Sequence, residues 1–120
     1  MRSPLLVLSV GSVAPVHLAY DTFLRQQGCE LATVADYRDL DGIPQKASYQ
    51  VAVLHDSLSL NALRDVAHFI RGRWPRAKIL VMRQGAWRTD DTLYDMCLVT
   101  GTNPDLLFAA IDRLSCRKIA

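Results

Sequence analysis

Tyr49-Gln50-Val51-Ala52-Val53-Leu54-His55-Asp56 decides how this chain is read. The apolar core of the run does not alternate with polar residues. A strand of that kind is covered on both faces, as in a parallel sheet sandwiched between helices. It ends abruptly in two titratable side chains, His55 and Asp56. Ligands of open α/β sheets gather at the carboxyl ends of the strands, so this end is where chemistry is sought.

Working outward, Leu5 to Val10 is a second unalternating apolar run, read as the first strand. Met1-Arg2 and the leucines that follow have some character of a signal peptide. The run is brief and is broken by Ser9, Gly11 and Ser12, so a buried strand is the better reading. Ser12 is placed as a helix N-cap with Pro15 in the first turn. That helix is expected to reach about Gln27, with Val16, Ala19, Tyr20, Phe23 and Leu24 inward and Gly28 as its stop. Cys29 to Ala35 reads as the second strand. A short helix from Asp36, carrying Tyr37 and Leu40, ends at Asp41-Gly42 and Pro44.

Leu60 to Trp74 is the clearest helix, with Leu63, Val66, Ala67, Ile70 and Trp74 in one stripe. Arg71 and Arg73 suit its carboxyl end, and Pro75 stops it. Lys78 to Met82 is the fourth strand and Met96 to Val99 the fifth. Between them, 84–95 is polar and short, which predicts an abbreviated fourth helix or an ordered loop. Asn103-Pro104-Asp105 is a strong helix start. Leu106, Leu107, Ala110, Ile111 and Leu114 follow as its buried face, and 117–120 as a frayed tail.

Strands alternating with helices predict a parallel sheet with right-handed crossovers. Five such strands favour a flavodoxin-like (βα)5 three-layer sandwich of order 2-1-3-4-5, its fourth helix short or missing. The 120 residues fit one domain spanning 1–120. A net charge of +2 is too small to point to nucleic acid or a membrane. No stretch approaches the roughly 18 apolar residues that a membrane span needs. Three separated cysteines, Cys29, Cys97 and Cys116, form no metal or disulfide pattern. They suit reduced thiols in the cytoplasm.

With these elements in order, the chain resembles response-regulator receiver domains. Leu5-Leu6-Val7-Leu8 looks like their first strand, and Tyr49 to Leu54 like the strand before their phosphoacceptor. Thr100-Gly101-Thr102-Asn103-Pro104-Asp105-Leu106-Leu107 is similar to their last loop and the start of the final helix. In the family an acidic pair after the first strand binds Mg²⁺; here Ser9, Val10 and Gly11 occupy that stretch. The phosphoacceptor aspartate aligns with His55 and the switch Thr or Ser with Arg83. The aromatic partner aligns with Cys97 and the lysine with Thr100. Mg²⁺ seeks hard oxygen ligands, and only Asp56 remains nearby. Each lost preorganised group commonly costs about 10²–10³ in rate.

The resemblance therefore implies a degenerate pocket, Ser9, Val10, His55, Asp56, Arg83 and Thr100, on a non-enzymatic signalling domain of the two-component type. No catalytic residue, metal or cofactor is expected. The partner would be another signalling protein or domain, with a homodimer as a second form of contact. The contact face would be 84–95, the fifth strand and the last helix, with Trp87, Tyr94, Cys97 and Leu107 on it. Cys97 reads most simply as a core residue. Two alternatives stand beside this. One is a sensor binding a small anion or nucleotide at the His55/Asp56/Arg83 edge; the other is a receiver phosphorylated on Asp56. His17, one turn into the first helix, could approach His55, and a transition-metal site with Asp56 is the weakest option. In their plainest roles His55 bonds locally and Asp56 pairs with Arg83 or caps the next segment. His68 reads as a solvated or half-buried helix position. Arg71, Arg73, Arg76 and Lys78 read as a solvated helix end.

Overall fold

Alternation fails along three of the strands because both faces are covered. In the computed structural model every side chain of Val51–Leu54 (β3) is buried, as are nearly all those of Leu6–Val10 (β1) and Lys78–Arg83 (β4). Glu30–Val34 (β2) and Met96–Val99 (β5) are the edges, and they are more exposed. All neighbours are parallel, in the order β2-β1-β3-β4-β5. The structure describes residues 5–11, 15–35, 37–43, 49–83, 94–99 and 103–115. The expected roles of Ser12, Asp36, Pro44, Trp87, Thr100 and Cys116, of the fourth-helix region 84–93 and of the tail fall outside them.

Three α-helices lie among the described residues: Pro15–Gln26 (α1), Leu60–Arg73 (α2) and Pro104–Leu114 (α3). The short second helix is a 3-10 helix, Tyr37–Gly42. Its Leu40 joins α2 in covering one sheet face, against Leu8, Val10, Ala52, Leu54, Ile79 and Val81. Helices α1 and α3 cover the other, against Val7, Val51, Val53, Leu80 and Met82. The predicted order and layers are those observed.

Local chemistry sets the boundaries. Ser59 is extended and its Oγ accepts the Ala62 amide at 3.1 Å, starting α2. The stripe Leu63, Val66, Ala67, Ile70 and Trp74 is buried throughout. Each large aliphatic member contributes about 1.5–3 kcal/mol. Trp74 closes α2, its amide donating to the Ile70 carbonyl at 2.8 Å. Its ring meets Tyr49 edge-on at 5.2 Å. Asn103 Oδ1 accepts the Asp105 amide at 3.0 Å, and Pro104 follows. The basic residues at the α2 exit are not all merely solvated. Arg73 donates to the Ile43 carbonyl at 2.7 Å and lies over Phe69 and Trp74. Arg71 pairs with Asp95 at 3.3 Å. His68 is exposed.

Three expectations about facing need correction. On α1, Ala19 is exposed and Phe23 half-buried, while His17 and Asp21 are buried with Tyr20 and Leu24. The helix is rotated so that the stripe 17-20-21-24 faces inward, because polar partners on the sheet await it. On α3, Leu107, Ala110 and Ile111 are buried and Leu114 half-buried, but Leu106 is 59% exposed. Leu107, read both as part of the buried face and as a contact residue, is in the core. Cys97, read most simply as a core residue and also placed on the contact face, is exposed. It pairs in register with Val81 on the outer strand, where coverage runs out.

Candidate functional site: a buried histidine cluster at the carboxyl edge

Ser9 ends β1 facing α1, because it shares the parity of Val7. His55 leaves β3 on the same side, continuing Val51 and Val53. Positive-φ Gly11 (φ 84°) turns the chain out of β1 so that α1 can return across that face. Helical spacing then places His17 and Asp21 one turn apart, aimed at the strand ends.

The result is a continuous polar chain. Ser9 Oγ lies 2.8 Å from His55 Nε2 and donates to Asp21 Oδ1 at 3.0 Å. A hydroxyl has one proton. Given to Asp21, it leaves Ser9 Oγ to accept from His55 Nε2–H. His55 Nδ1 then carries a lone pair, and it has no hydrogen-bond partner among the described residues. The His17 ring stands 4.5 Å from the His55 ring, tilted 33°. His17 Nε2 donates to Asp56 Oδ1 at 2.8 Å. His17, Asp21 and His55 are 2%, 1% and 1% exposed. Burial first, then the neighbouring His17, lower the His55 pKa to about 4, with Asp56 opposing. His55 is therefore a neutral imidazole at physiological pH.

The sequence reading brought His17, His55 and Asp56 together, and the structure does the same. Asp56 bonds His17, and the cap of α2 falls to Ser59. Asp21 was not foreseen. Its signal lay in the polar i, i+4 pair His17/Asp21 that brackets Tyr20 on the inward stripe. Val10 is buried against the α2 face and offers no ligand atom from its side chain.

Arg83 shares strand parity with Ile79 and Val81, which places it on the α2 side of the sheet. Burial lowers the Arg83 pKa, while Cys97, Tyr94 and, last, Asp56 favour its charge. Burial likewise raises the Cys97 thiol, which Arg83 partly offsets. Among the described residues no group of three or more His, Cys, Asp or Glu side chains could hold a metal ion. No described helix is long and apolar enough to cross a membrane.

The fold matches solved structures closely. The chemotaxis response regulator CheY4 of Vibrio cholerae superposes with a TM-score of 0.76 at 20% identity, over 93% of this chain and 99% of that one. The response regulator TrrA of Thermotoga maritima, in complex with Mg²⁺ and BeF, gives 0.76 at 20%, over 92% and 98%. The complex of TrrA with the histidine kinase ThkA gives 0.74 at 21%, over 92% and 97%. No protein-family model matches the sequence, and neither does any curated protein. The chain has the flavodoxin-like fold of response-regulator receiver domains.

Proposed function

We propose that this chain is a receiver-like signalling domain of the cytoplasm that takes no phosphoryl group and acts through protein–protein contacts. The observation that carries the reading is His55. Where receivers of this fold present an aspartate, this chain has a buried, neutral imidazole bonded to Ser9. That imidazole and Ser9 fill the place of a carboxylate nucleophile and a metal carboxylate. Asp56, the alternative acceptor, has one oxygen bonded to His17.

A protein partner fits the surface. Val99 of β5 and Leu106 of α3 are large apolar side chains exposed at 58% and 59%, and Cys97 of β5 is exposed as well. They lie on β5 and α3, two of the elements expected to carry contacts. By analogy with the kinase-bound TrrA, the partner is another signalling protein. A homodimer through the same face is the second form.

Incubation with Mg²⁺ and acetyl phosphate, followed by intact-mass measurement, tests the reading. The expected result is an unchanged mass. A Mg²⁺-dependent phosphoryl adduct would overturn it, and loss of the adduct in Asp56→Asn would identify Asp56 as the acceptor.

A further inference from the structure

The turn after β3 is fastened to the domain by polar contacts. His55 Nε2 meets Ser9 of β1, and Asp56 Oδ1 meets His17 of α1, each at 2.8 Å. Ser57 Oγ donates to the Gly11 carbonyl, and the His55 amide to the Val10 carbonyl at 2.9 Å. Two stacked imidazoles therefore join three segments: β1, the start of α1 and the 55–58 turn. The titratable groups facing His55 among the described residues are His17 and Asp21 from α1 and Asp56 from its own turn. Asp21 Oδ1 stands 4.0 Å from His55 Nε2. Arg83 of β4 and Asp56 favour each other's charge.

We propose that this cluster is a proton-operated latch: acid charges the His55 imidazole, frees the 55–58 turn from β1 and α1, and opens the carboxyl edge of the sheet. Charging His55 against the His17 ring, in a site closed to water, is costly; in an opened turn the charge is solvated. The sign follows from His55. Its pKa is about 4 when closed and returns to the ordinary 6.5 when solvated. Closure is thus fully favoured above about pH 6.5 and loses ground as the pH falls toward 4. Between about pH 7.5 and pH 5 the ratio of open to closed rises on the order of 30-fold. As an input to signalling the latch rests on the function proposed above. As a conformational equilibrium it does not.

Native-state amide hydrogen exchange of the full chain, read by NMR and corrected for intrinsic rates, tests it without any phosphodonor. The His55 and Leu58 amides should be less protected than that of Leu80 in β4. Their opening constants should rise roughly 30-fold from about pH 7.5 to pH 5. In His55→Gln, whose amide nitrogen can still donate to Ser9, the rise should shrink below about threefold. Protection equal to that of Leu80 at both pH values, or the same rise in His55→Gln, would overturn the latch. So would an imidazole ¹⁵N titration of the unaltered protein that places native His55 near 6.5. An adduct in the separate phosphodonor assay would refute the functional reading, while the exchange experiment, run without a phosphodonor, would read the latch alone.

Discussion

Replacing His55 by aspartate should reverse the pH dependence of stability. In the native chain His55 has its folded pKa depressed to about 4 from 6.5. Its contribution is present above pH 6.5 and is lost as the pH falls through 4. Between about pH 7.5 and pH 5 that loss is about 2 kcal/mol. For a domain of this size it lowers Tm by about 8 °C. His55→Asp instead puts a carboxylate into a site that is 1% exposed, with Asp21 Oδ1 4.0 Å from the present Nε2. Like charges at that separation repel by about 4 kcal/mol at an effective dielectric constant near 20. The shorter side chain lengthens the separation, which reduces this to about 3 kcal/mol. Burial and repulsion both raise the folded pKa of the introduced group above its unfolded value. Its penalty is therefore absent in acid and grows as pH rises. Urea denaturation at about pH 5 and pH 7.5 should show the native protein gaining stability with pH and the variant losing it. A variant as stable as the native chain at pH 7.5, with the same slope, would mean that His55 is solvated and that the polar chain does not exist in solution.

Glycine conformation separates two further substitutions. Gly11→Ala forces a side chain onto φ 84° and places its Cβ 2.7 Å from Ser57 Oγ, so a loss of about 2–3 kcal/mol is expected by urea denaturation. Gly28→Ala at φ 92° meets open space and should lose only about 1 kcal/mol; equal losses would refute the close approach at Gly11. Trp74→Ala removes the edge contact to Tyr49 and the platform under Arg73, and should cost about 3–5 kcal/mol. A change below about 1 kcal/mol would contradict its place in the core. Leu106→Glu should leave Tm nearly unchanged while weakening capture of the partner, whereas Leu107→Glu should abolish folding by circular dichroism.

What the sequence determined by itself was the order of elements and the sheet. Unalternating runs such as Val51 to Leu54 report burial on both faces, and Asn103 and Pro104 report a helix start through local hydrogen bonds and backbone angles. Both are short-range properties, written in neighbouring residues. It also exposed His55 at the end of β3, because strand ends follow from strand limits. Tertiary structure decided which way side chains turn when the local pattern permits two answers. Ala19 and Phe23 looked like the inner face of α1 by hydropathy alone. His17 and Asp21 took that face because Ser9 on β1, and His55 and Asp56 far away in sequence, supply the partners that make their burial tolerable. Leu106 and Leu107 are adjacent leucines whose fates differ only through the phase of α3 against the sheet. Cys97 sits on an edge strand, and Arg83 on the α2 side of the sheet; both follow from strand parity and sheet position. Burial of a polar side chain depends on what meets it in space, and that is settled only when the elements assemble.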